Sequence, residues 1–160
     1  MQEEDTEDNI TEEQIDIYTK ELKDYSLLIQ NIIVSDQGLI RGVTFGLSEE
    51  EIRGIESAKF DQSDPEMQFL VAGEYLSDSV NLDIEYHFYL KEMTKLVLII
   101  YTQGLEQQNE IYIDLQEFFS QKYLIDKSLS DWNINNNMQL TIRKVGNQHE
   151  ADIELIFRKL

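Results

Sequence analysis

From Leu82 to Leu90 the side chains alternate without a break: Leu82, Ile84, Tyr86, Phe88 and Leu90 fall on one side of an extended chain, Asp83, Glu85, His87 and Tyr89 on the other. A period of two places one apolar face on a strand and scatters it around a helix, so this stretch is a half-buried strand. Lys91-Glu92-Met93-Thr94 is its connection to Leu96–Tyr101. That run is so continuously apolar and β-branched that it reads as a central strand covered on both faces, or as a hairpin partner.

Upstream, a helix start is written almost residue by residue. Ser48 followed by Glu51 is a capping box, Leu47 and Ile52 are placed for a hydrophobic staple, and Glu49 and Glu50 face the positive end of the helix dipole. This helix is short, because Gly54 weakens it by roughly 1 kcal/mol relative to alanine and Asp61 to Pro65 stop it. Ile10 to Ile15 repeat the same chemistry, predicting a helix from Thr11. Ile15, Tyr18, Leu22, Tyr25, Ile29 and Ile32 then recur at three-then-four spacing as far as the stop at Asp36-Gln37-Gly38. The stripe fits a core-facing helix or a dimer seam.

Phe69–Tyr75 reads as an edge strand interrupted by Gly73, with a turn at Ser77-Asp78. Gln103 to Asn109 is a polar loop. A third helix follows from about Glu110, with Ile111, Leu115, Phe118, Phe119 and Tyr123 inward and Lys122 and Lys127 near its C-terminal end. Met138, Leu140 and Ile142, the turn Gly146-Asn147, and Ile153, Leu155 and Phe157 form a terminal hairpin with one wet face. Helix-then-strands thus occurs twice. The expected fold is α+β: one domain over 10–160, an antiparallel sheet with helices layered on one face as two helix-plus-hairpin units, and a flexible acidic tether over 1–9.

Gly42-Val43-Thr44-Phe45-Gly46, Leu47, Ser48-Glu49-Glu50-Glu51-Ile52, then Glu85 to Tyr89, a turn, and Thr94 to Ile100 together resemble a module of small envelope lipoproteins. That family includes the BamE-type outer-membrane assembly factors and the β-lactamase inhibitory proteins. The resemblance covers about Gly38 to Tyr101. It implies a helix followed by a hairpin and a protein-binding class, and it carries over no functional residue. Where those families commonly end the helix on glycine, this chain has Glu56-Ser57-Ala58-Lys59-Phe60.

Charge narrows the partners. Against 13 basic residues stand 32 acidic ones, a formal net charge of -19. Binding to nucleic acid needs a basic footprint, and so does binding to an anionic membrane surface; both are disfavoured. Basic partners, cations or plain solubility remain. An apolar share of 41% over 160 residues supports one folded core. Without cysteine there is no disulfide, thiolate nucleophile or Cys-based metal site. No apolar run reaches transmembrane length and no signal pattern opens the chain. A chain beginning just after a removed signal would have a secreted or lipid-anchored parent.

Catalytic kits are absent from the pattern. Gly38, Gly42 and Gly46 are four apart, which fits neither dinucleotide nor P-loop spacing. A Ser-His-Asp arrangement would need His87, on a strand's polar face, or His149, in a turn; both read as solvated. Asp131 to Asn136 has the alternating oxygens of a calcium loop, but Asn136 replaces the glycine and Ile142 the bidentate glutamate, so a polar turn is favoured.

The expectation is therefore a non-catalytic protein-binding or scaffold module, without cofactor or metal, in the periplasm or cell envelope, monomeric or weakly dimeric. Tyr89, Tyr101 and Trp132 are its candidate partner-binding residues; for each taken singly, packing inside the sheet is the favoured reading. The alternatives are an acidic cytosolic inhibitor mimicking nucleic acid, which requires carboxylates aligned on one rigid face, and a metal-dependent enzyme.

Overall fold

Seven strands form one antiparallel sheet in the computed structural model, whose described residues are 20–61 and 69–160. In chain order the elements are α1 (Leu27–Ile33), α2 (Glu49–Ile55), β1 (Lys59–Phe60), β2 (Phe69–Tyr75), β3 (Asn81–Tyr89), β4 (Glu92–Tyr101), α3 (Leu105–Tyr123), β5 (Asp131–Ile134), β6 (Met138–Gly146) and β7 (Ala151–Lys159). The sheet order is β1-β2-β3-β4-β7-β6-β5. Each half is a meander, and the halves meet at their last strands, β4 against β7. The α+β architecture follows from the two patterns read above, a period near 3.6 for the helices and of two for the strands.

The helices share one face. Leu82, Ile84 and Tyr86 of β3, Leu96, Leu98 and Ile100 of β4, and Ile153, Leu155 and Phe157 of β7 point to the same side and are buried. Ile29, Ile32 and Ile33 of α1, Ile52 of α2, and Ile111, Leu115 and Phe119 of α3 complete that core. Burying a side chain of this size contributes about 1.5–3 kcal/mol. Ser48 caps α2 as expected, its Oγ accepting the Glu51 N–H at 3.2 Å.

Five local expectations are corrected. The expected helix does not run unbroken to Asp36: Leu22–Asp24 is a 3₁₀ turn, Tyr25 is extended, and α1 starts afresh. Ser26 is the reason, since its Oγ accepts the Ile29 N–H at 3.3 Å and competes with helix continuation. Tyr25, Ile29 and Ile32 are nonetheless buried. The Thr11 start, Ile15, Tyr18, the 1–9 tether and Gln62 to Pro65 lie outside the described residues.

Second, α3 begins at Leu105, not Glu110. Gln107 Oε1 accepts the Gln103 N–H at 2.8 Å, and buried Gln108 donates to the carbonyls of Val145 and Asp152 at 3.0 and 2.7 Å. A glutamine-rich polar stretch is a good helix former once its amides have such partners. Third, Leu90 leaves the strand pattern. Leu90 and Lys91, at φ of 50° and 67°, form the tight turn themselves, and β4 starts at Glu92. Fourth, Asp131–Ile134 is strand β5, turning at Asn135 and Asn136, with φ of 52° and 57°. Fifth, β2 runs through Gly73 unbroken and has β1 outside it.

Candidate functional site

The second face of the sheet carries no described helix, and the strand register lays out its side chains as rows. One row runs Tyr75, Asn81, Tyr101, Asp152, Val145; the next Lys59, Gly73, Asp83, Ile99, Glu154, Arg143. The third runs Val71, Glu85, Val97, Ile156, Thr141, Asp131, and the fourth Phe69, His87, Lys95, Arg158, Gln139, Asn133. Val97 and Ile156 form an apolar centre, each 7% exposed. Together the first three rows carry five acids, Asp83, Glu85, Asp131, Asp152 and Glu154, against Lys59 and Arg143, while the fourth carries Lys95, Arg158 and His87 and no acid.

Within this face lies a notch of about 590 Å³ floored by Gly73 and walled by Asp61, Tyr75, Asn81, Asp83 and Tyr101. Tyr101 donates its hydroxyl hydrogen to Asp83 Oδ2 at 2.9 Å. Burial, that hydrogen bond and the charges of Asp83, Asp152 and Glu85 push the Tyr101 pKa up to about 12. Asp152 is also raised, first by burial and then by Glu150 and Glu154. Asp61, Asp83 and Asp152 thus gather at this corner of the sheet, with Lys59 on the outer strand beside them. Among the described residues no lysine or arginine forms a salt bridge with Asp83.

On the covered face the charges are closed. Arg41, 3% exposed and at a φ of +57°, donates through Nε and Nη2 to Glu56 at 2.6–3.1 Å. Its Nη1 donates to the carbonyls of Asn31 and Ile32, at the end of α1, and its Nη2 also reaches Glu74 at 3.0 Å. Glu56 further accepts from the Tyr86 hydroxyl and the Ala58 N–H. Burial alone would raise the Glu56 pKa, but Arg41, Tyr86 and the Ala58 N–H outweigh it and hold the carboxyl below its usual range. The loop that presents Arg41 depends on Gly38, at a φ of +66°, where a Cβ would lie 2.4 Å from the Val43 carbonyl oxygen. This cluster joins α1, α2, β2 and β3 and has a structural role.

The three aromatics singled out from sequence part company. Tyr89 is exposed at the β3 end, Tyr101 is half-buried in the notch wall, and Trp132 is turned into the core, 5% exposed, with Nε1 donating to the Asp126 carbonyl at 2.7 Å. Trp132 is thus withdrawn from the surface, because β5 pairing points it inward. Tyr89 and Tyr101 share the open face. His87 stacks on Phe69 with centroids 5.1 Å apart, and burial lowers its pKa. His149 lies in the β6–β7 turn. Among the described residues no group of three His, Asp or Glu side chains is arranged to hold a metal ion.

Sequence reading missed Arg41, Gly73 and Asp83. Arg41 had one signal, a single charge inside the run Leu39 to Val43. Gly73 had another, a glycine within a strand pattern. Compared with protein-family models, with curated proteins and with solved structures, the chain gives no match.

Proposed function

We propose that this chain is a non-catalytic protein-binding module of the cell envelope that docks a protein partner on the open face of its sheet. The observation that carries the reading is that face itself: a sheet surface on which no described helix lies, with Ile99 beside the buried pair Val97 and Ile156 at its centre, ringed by charges and edged by exposed Tyr75 and Tyr89. An apolar centre with a polar rim is the anatomy of protein interfaces. The envelope placement rests on the resemblance of residues 38–101. No described helix is long and apolar enough to cross a membrane.

A photo-crosslinking residue at Ile99 in the source cells should give a discrete adduct with one protein, while the same residue at exposed Ile113 of α3 should not. No adduct from Ile99, or equal adducts from both, overturns the reading. Fractionation tests the location: recovery in the cytosol alone removes the envelope part.

Asp83, Glu85, Asp152 and Glu154 on one rigid face favour a second reading, an inhibitor that presents carboxylates to a nucleic-acid-binding protein. Its signature is a partner with a basic cleft and an affinity that falls steeply with salt. Lys95, Arg158 and His87 in the fourth row weigh against it.

A further inference from the structure

The notch over Gly73 has a floor that the backbone does not require. Gly73 sits inside β2, paired on both sides, and its φ lies outside the left-handed region where glycine is favoured. A Cβ there would meet only Asp83 Oδ1 at 3.5 Å and the Leu82 carbonyl oxygen at 3.6 Å, ordinary contact distances. A strand-interior glycine costs stability relative to alanine and marks a place where another group approaches the backbone closely. Here the missing side chain leaves space next to Asp83 Oδ1, 3.5 Å from where a Cβ would stand, while Oδ2 is held by Tyr101.

We propose that the Gly73 notch receives an arginine side chain of the protein partner, its guanidinium bonded to Asp83 and lying against the tyrosine walls. This rests on the open face being the docking surface. Three features select the occupant. The acids Asp61 and Asp83 line the notch, with Asp152 beside Tyr101 in the register. Tyr75 and Tyr101 supply aromatic surface, on which a planar, weakly hydrated guanidinium stacks better than a compact ammonium. The fixed Asp83 carboxylate provides a directed acceptor. Lys59, on the outer strand beside Gly73, also lines the notch but forms no salt bridge with Asp83, so among the described residues no cation closes the site.

The test uses the full chain and the peptide acetyl-Gly-Arg-Gly-amide, with its citrulline counterpart at matched ionic strength as the uncharged control. In amide NMR spectra the arginine peptide should give saturable shifts at Gly73, Asp83 and Tyr101, and citrulline should not. Gly73→Val, which fills the notch, and Asp83→Asn, which keeps its shape, should each weaken binding by about fivefold. Thermal melting confirms that both variants fold. Shifts spread without saturation over the acidic surface, or saturable binding indifferent to both substitutions, overturn the proposal. In cells, Gly73→Val should sharply lower the adduct formed from Ile99. An undiminished adduct overturns the notch and leaves the docking face standing; absence of the adduct in the unsubstituted chain overturns the docking face itself.

Discussion

Two tyrosine–carboxylate pairs sit on opposite faces of β3, and their fates differ. On the covered face Tyr86 donates to Glu56, and Arg41 closes the charge in a site where Arg41 and Glu56 side chains are each 1% exposed. On the open face Tyr101 donates to Asp83, and no described salt bridge closes that carboxylate. The bond is the same in kind. Burial makes a cation obligatory in the first case, because an unpaired buried carboxylate is strongly unfavourable. Solvent tolerates its absence in the second, which leaves the carboxylate available to an outside group.

The difference can be broken most forcefully by placing an aspartate on each face of β3 and β7 in turn. Ile84→Asp buries a charge in the core and should unfold the domain, as should Leu155→Asp, while Glu85→Asp and Glu154→Asp should be nearly silent in circular-dichroism melts. Equal tolerance at both sets would mean that the faces are misassigned. Next, Arg41→Met should lower unfolding free energy in urea by about 3–5 kcal/mol, since it strands Glu56. Asp83→Asn, by contrast, should change it by less than about 1 kcal/mol. A small effect at Arg41 would show that the buried cluster is not what joins the helices to the sheet.

Acid should separate the pairs again. The Glu56 pKa is lowered on folding, so its contribution is complete above the ordinary carboxylate range and is lost as pH falls through the folded value. Urea midpoints taken from pH 6 down to pH 3 should therefore fall less steeply in Glu56→Gln than in the unsubstituted chain, although the variant starts lower. Identical slopes would exclude Glu56 as a source of the acid sensitivity. The smallest expected effect is a gain: Gly73→Ala should stabilise the fold by about 0.5–1 kcal/mol, as the backbone at that position asks for no glycine. A loss there would mean that close packing, and not an approaching ligand, accounts for the residue.

Much of this architecture was legible in consecutive residues. The alternation of β3, the apolar run of β4, the hairpin β6–β7 and the Ser48 cap each involve neighbours a few positions apart, and local stereochemistry is enough to read them. Where reading failed, a local alternative of similar energy existed. Ser26 could continue a helix or start one, and Gln103 to Asn109 could be loop or first turns. For Trp132 the inward packing that competed with a surface role is the one observed, although a four-residue strand has too few positions to show its period.

By itself, then, the sequence determined the kinds of element, the inward faces of the long strands and the acidic surface, for these depend on pattern and composition. Only the tertiary structure decided that Arg41 meets Glu56 and Glu74, 15 and 33 positions away, and that Gly73, Asp83 and Tyr101 surround one notch. Such meetings are set by strand order and register, and one residue of slip would send each side chain to the other face.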